Sequence, residues 1–258
     1  MSDSVAARIG ESMTQILGAD YHERGINASG GKVQRSRLNH RLAALEMRRQ
    51  ENIEEVISMA YLVGGEENAD EDAPELDDDW LARFVGHAQE ISNPVMLSVW
   101  GQILAHEAQT PGRFSLGTLD VLSSMTGMDW LTWKQASKLC FPTGYILKLG
   151  ARNDFDEFGL SREDIARLQA LDLVQQTDDL SVTFHAPSKG LTFDFAGADL
   201  VVRHPKSTLF TLPAYRITGV ARELFIHLDC VSADMGYLQA LGKALRADSY
   251  DFLLQKAA

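Results

Sequence analysis

The chain has 258 residues, a formal net charge of -12, 45% apolar residues and two cysteines. That length holds one large domain or two small ones, and the composition is ordinary for a globular fold. No apolar run approaches the roughly 20 residues that cross a bilayer, and two isolated cysteines exclude a disulfide framework or a zinc knuckle.

The start, MSDSVAARIG, is polar and lacks the basic region and long apolar core of a secretory leader, so a cytoplasmic protein is expected. Cys140 and Cys230 both sit in apolar surroundings and read as buried, inert thiols. The charge is uneven. From Glu66 to Asp79 there are nine acidic residues and no basic one, and the rest of the chain is near balance.

Residues 4–23 form an amphipathic pattern with Ala7, Ile9, Met13, Ile16 and Leu17 on one side. Gly25 to Lys32 resembles a phosphate-binding loop only superficially. Lys32 comes one position late, Val33 replaces the magnesium-holding hydroxyl, and no apolar strand precedes it. It reads as a flexible link between helices.

From Val33 to Val63 the pattern is helical, and Leu38, Leu42, Leu45, Arg49, Asn52, Val56, Met59 and Val63 alternate four- and three-residue steps. That is a heptad seam with two polar interruptions, and a buried Asn in such a seam can fix the register of a coiled-coil dimer. Leu38, Leu42, Leu45, Asn52, Val56 and Met59 are therefore candidate partner-binding or oligomer contacts. The alternative is that Ile53, Ile57 and Ala60 join the seam and the helix packs on its own chain. Lys32, Arg35, Arg37, Arg41, Arg48 and Arg49 are interleaved with Glu46, Glu51, Glu54 and Glu55, the pattern of a solvated face. Residues 64–77, acidic and without apolar periodicity, read as a linker.

The densest apolar stretch follows. Trp80, Leu81, Phe84, Val85, Ala88 and Ile91 share a helix face behind Asp77, Asp78 and Asp79. Asn93-Pro94 reads as a cap and first helical position for Val95, Met96, Val99, Trp100, Ile103, Leu104 and Glu107. Pro111-Gly112 stops that helix, and Ser115 caps a third. Met128 to Phe141 is a further helix with Trp130 and Trp133 in its core face, ended by Pro142.

This stretch carries a resemblance. Asp78, Trp80, Leu81, Phe84, Ile91, Ser92, Met96, Trp100, Ile103, Leu104, Ala105, Glu107, Pro111, Gly112, Phe114, Ser115, Thr118 and Leu119 form a pattern similar to a bacterial family catalogued as Domain of Unknown Function 2806. Gly117 and His106 depart from that pattern, standing where a basic residue and a glycine are expected. The resemblance implies a shared fold and a bacterial source, in small cytoplasmic proteins for which phage defence or stress response is a conjecture. It implies no reaction. Glu107, the motif carboxylate, is either a site group or a structural one that pairs with an arginine or caps a neighbouring helix.

Tyr145 to Leu149 is a short apolar run. Asn153 to Gly159 evokes a calcium loop but has Phe158 at an oxygen-ligand position, and it reads as a plain loop. Ser161 to Asp164 caps a helix, Ile165 to Leu171. Short alternating runs at residues 181–184, 191–195 and 200–202 read as strands, and Tyr215 to Leu224 as a strand entering a helix capped by Thr218. This order is similar to winged-helix domains. A DNA reader would want a basic recognition helix, and this one offers Arg162 and Arg167, with Lys189, Arg203 and Lys206 as a weak basic wing. Ser232 is expected to cap a last helix, and the apolar tail at Tyr250, Phe252, Leu253 and Leu254 has to dock somewhere.

The seven histidines have no zinc-ligand spacing, and no nucleophile elbow or dinucleotide fingerprint exists. His185 and His204 could meet Asp194 or Asp199. No cofactor or metal is expected. The expected architecture is mainly α, a helical bundle with a long N-terminal helix: N-terminal helices over residues 1–63, an acidic linker over 64–77, a helical domain over 78–142 and a winged-helix-like α+β part with a small antiparallel sheet over 143–258. The expected role is a non-enzymatic oligomeric interaction or regulatory protein that associates with itself and with protein partners. The alternatives are a nucleic-acid-binding regulator and a hydrolase built from scattered histidines and carboxylates.

Overall fold

The computed structural model describes residues 5–22, 26, 30–64, 75–149, 155–177, 180–185, 191–195, 198–203, 209–228, 233–247 and 251–256. The comparison with a phosphate loop, most of the acidic stretch, Cys230 and Ser232 lie largely or wholly outside these residues.

The described chain is mostly helical. Helix α1 (Val5–Leu17) precedes α2 (Gly31–Gly64), and then come α3 (Asp78–Ala88), α4 (Pro94–Gln109), α5 (Leu116–Ser123) and α6 (Gly127–Ser137). The expected caps hold α3 to α5. The Asp77 carboxylate accepts from the Trp80 amide at 2.8 Å, and the Asn93 side chain takes the Val95 and Met96 amides at 3.0 and 3.3 Å. Ser115 Oγ takes the Thr118 amide at 3.3 Å. Each satisfies amides that the first helical turn leaves without partners. A capping box of Thr126 and Asp129 opens α6, and α6 ends at Ser137, short of the expected Phe141.

With 34 residues, α2 is about 50 Å long at ~1.5 Å per residue. Its partner α4 has 16 residues and reaches about half as far. The two run side by side in the same direction. Ser92, just before α4, touches Asn52, and Gly101 lies against Met59 and Ala60. A Cβ on Gly101 would stand 2.5 Å from Met59 Cβ, so glycine permits this close approach. Val56 is fully buried there. The first half of α2 extends past the start of α4 and is flanked by α1, whose closing Gly18 rests on Ala44 and His40.

Beyond α6 come β1 (Tyr145–Leu147), a 3₁₀ turn (Asp156–Phe158), α7 (Arg162–Ala170), β2 (Ser181–His185), β3 (Leu191–Phe195), β4 (Ala198–Arg203), β5 (Leu209–Arg216), α8 (Gly219–His227), α9 (Met235–Ala247) and β6 (Asp251–Lys256). The helix over Asp156–Phe158 stands where the sequence suggests only loop. The strands make two three-stranded antiparallel sheets, ordered β1-β5-β2 and β3-β4-β6. The apolar tail docks on its own chain: β6 pairs with β4, Leu254 opposite Leu200. Thr218 caps α8 as the sequence suggests.

One hydrophobic core runs from Val56 to Leu245 without a break at Pro142. All four tryptophans, Trp80, Trp100, Trp130 and Trp133, are buried in it. The Tyr237 hydroxyl of α9 donates to the Leu147 carbonyl of β1 at 2.7 Å inside this core. The packing of α9 on β1 thus ties the end of the described chain to its middle.

Candidate functional site

The motif residues meet in one joint between α4, the turn into α5, and α8. Glu107 lies in the last turns of α4 and is 3% exposed. Its two carboxylate oxygens accept the Gly112 amide at 2.5 Å and the Phe114 amide at 2.9 Å. The turn runs through Gly112 at φ +89°, a conformation that suits glycine. Phe114 is buried, and its carbonyl accepts from the Trp80 indole at 2.8 Å. Glu223 of α8 completes the joint from the far side. Its Oε2 accepts from the Ser115 amide at 2.8 Å, from Ser115 Oγ at 3.1 Å, and from Thr118 Oγ1.

Glu107 therefore holds the turn between α4 and α5. Its partners are backbone amides of the turn, not the arginine or helix cap expected from sequence. Bonds of this kind fix the carboxylate and the turn against each other. Glu223, 105 residues away from Thr118 in the chain, carried no local signal that could have marked it.

Beside the joint lie three half-buried groups. Arg113 Nη1 sits 3.5 Å from His106 Nδ1, and the His227 ring packs edge-on to Phe114 with centroids 5.6 Å apart. Burial lowers the His227 pKa below its ordinary value, and the Arg113 charge lowers it further, against a smaller opposing pull from Glu223. The imidazole is then neutral at neutral pH. Two shallow clefts adjoin. One of about 420 Å³ is lined by Glu75, Asp77, Trp80, Glu107, Pro111 and Phe114. The other, of about 600 Å³, lies over Ala82, Arg83, Gly86, His87 and Leu116. At its edge Asp120 accepts from Arg83 at 2.9 Å and meets His87 Nε2 at 3.0 Å. That His87 contact, foremost, lowers the Asp120 pKa. Among the described residues no group of three or more His, Cys, Asp or Glu could hold a metal ion.

The long-helix candidates divide by position. Leu38 and Leu42 are 43% and 50% exposed, and Leu45 and Met59 are half-buried. Asn52 and Val56 are buried against the chain's own α4 side. Asn52 Nδ2 donates to the Gln89 carbonyl at 2.7 Å and its Oδ1 accepts from Ser92 Oγ at 3.2 Å. Arg49 reaches Glu90 at 2.7 Å and Glu46 at 2.7 Å. Both polar interruptions of the seam thus grip the α3–α4 connection of the same chain.

The basic candidates do not gather among the described residues. Arg162 is exposed at the start of α7. Arg167 donates from Nε and Nη2 to the two oxygens of Asp129, at 2.7 and 3.0 Å. Asp129 also accepts from the Thr126 amide and hydroxyl, and these bonds, the guanidinium first, push its carboxyl far below the usual carboxylate range. The spacing Thr126-x-x-Asp129 was a readable capping-box signal for it. Arg203 ends β4, its side chain outside the described set, as are Lys189, Lys206 and His204 altogether; the side chains of His185, Asp194 and Asp199 are outside it too.

No described helix is long and apolar enough to cross a membrane. Comparison with curated proteins and with solved structures gives no match. The model of the family described as "Protein of unknown function (DUF2806)" matches residues 36–242, so this chain belongs to that family.

Proposed function

We propose that the protein is a non-enzymatic interaction protein of the bacterial cytoplasm that assembles with itself through its N-terminal helices. The observation that carries this reading is the bare apolar surface of α1 and of the first half of α2. Val5, Ile9, Met13 and Ile16 of α1 are exposed along one stripe, and Leu38 and Leu42 of α2 along another. Leaving such stripes in water is costly, and contiguous ones mark association surfaces. The carboxylates of the motif joint are engaged by amides and hydroxyls of the α4–α5 turn and of α5, which supports a structural role for that joint. The test is mass by light scattering on the full chain and on L38E/L42E. The reading expects a dimer or larger for the first and a monomer for the second. Monomers in both cases sink it.

A second reading has its own support. The sheet order β1-β5-β2, with α7 lying in sequence between β1 and β2, is similar to the order in winged-helix domains, and on that reading α7 would face a nucleic acid. The pairing of Arg167 with Asp129 and the acids Glu163 and Asp164 in the first turn of α7 weigh against it. A salt-sensitive gel shift that is lost in R162E supports this reading, and no shift at low salt removes it.

A further inference from the structure

We propose that the bare seam of α2 is covered by the same segment of a second copy, running antiparallel, with the two-fold axis near His40. This rests on the self-association reading and adds its geometry.

The seam is one continuous stripe used twice. From Asn52 onward α4 lies alongside it, with Ser92 at Asn52 and Gly101 at Met59. Before Asn52 the same stripe carries Leu38, Leu42 and Leu45, with Leu38 and Leu42 open to solvent. α1 contacts a different side, at His40 and Ala44. A parallel partner on this stripe would run the second half of its own α2 into the first copy's α4. An antiparallel partner avoids that collision, because its body points away.

The lengths agree. With the axis near His40, Gly31 of one copy ends opposite Arg49 of the other, one turn short of Asn52, where α4 begins. Leu38 then faces Leu42 of the second copy, and Leu42 faces its Leu38. Arg35, on the same stripe, comes beside Leu45 and Glu46 of the second copy, where Glu46, already met by Arg49 of its own chain at 2.7 Å, gains a second cation, twice by symmetry. Arg41 lies level with Asn39 of the second copy and comes near its own symmetry mate on the open flank, where water weakens the repulsion. An overlap of about five turns buries a small interface, so the affinity is of roughly micromolar order.

The experiment uses full-length chains carrying L38C or L42C in a C230S background, since Cys140 is buried. The two are distinguished by a mass tag and oxidised gently, singly and mixed, at roughly 50 µM, above the expected dissociation constant. The antiparallel arrangement gives the mixed disulfide in several-fold excess over either homotypic one. Homotypic disulfides in excess mean a parallel pair and overturn the proposal while leaving self-association standing. A dimeric mass with no disulfide in any mixture also overturns it, and moves the interface elsewhere, with the stripe of α1 as the next place to look. A monomeric mass overturns both. As a second readout, R35E weakens the dimer about fivefold, a size set by two exposed ion pairs, and an unchanged dissociation constant overturns this register.

Discussion

Glu107 shows what one buried side chain can organise. Removing its carboxylate leaves the buried Phe114 amide without its partner and releases the Gly112 amide to water at the surface of the turn. E107A should cost about 1–3 kcal/mol in denaturant unfolding, the range for one orphaned buried group, and E107Q should cost less because one acceptor remains. Equal losses for the two variants would remove the amide-holding role. His227 gives the residue-scale pH response. Its folded pKa lies below the unfolded value of 6.5, so the unfolded chain binds more protons between those two values. Its contribution is complete above 6.5 and declines as pH falls through 6.5 towards the folded pKa. Chemical denaturation from pH 8 to 5 should show that decline, and H227Q should flatten it. Asp129 acts lower. Its carboxyl is held well below 3.8, so its contribution persists at neutral pH and declines only as pH falls below about 3.8.

At the scale of elements, the α2–α4 crossing is the tightest contact that the sequence leaves unmarked. Gly101→Ala places a methyl 2.5 Å from Met59 Cβ and 3.0 Å from the Ala60 nitrogen, so the helices must part. The expected cost is about 1–3 kcal/mol, the range for overpacked cores. A thermal melt that does not fall would show that the crossing is loose. Asn52→Ala removes the bonds to Gln89 and Ser92 and should cost about 1–3 kcal/mol without changing the oligomer mass, because Asn52 faces its own chain. A change in mass for that variant would return Asn52 to the interface. The caps of α3, α4, α5 and α7 were legible because an Asp, Asn or Ser acts on amides within three residues. The alternating strands were legible for the same reason of short range. How they divide into two sheets was not, because β4 pairs with a segment about 50 residues later.

For the whole molecule, the continuous core sets where the chain can be divided. A chain beginning at Gly64 loses Val56 and Asn52 from the face that α4 buries, and should lose its cooperative unfolding transition. A chain beginning at Gly30 keeps that face, and should keep both its fold and its bare seam. Circular dichroism and light scattering on the two separate fold from assembly. A stable, cooperative Gly64 chain would show the N-terminal helices to be an independent unit.

The sequence by itself determined the helix-rich class, the position of most elements, the motif from Asp78 to Leu119 and the absence of familiar catalytic spacings. These follow from periodicity and from capping, which act over a few residues. Tertiary structure alone decided which half of the seam is spent on α4. It also decided that Arg167 is tied to Asp129, and that Glu223 closes the joint around Ser115 and Thr118. Heptad spacing says that a helix has an apolar face, but only the length of the neighbour packed on it says where that face remains bare.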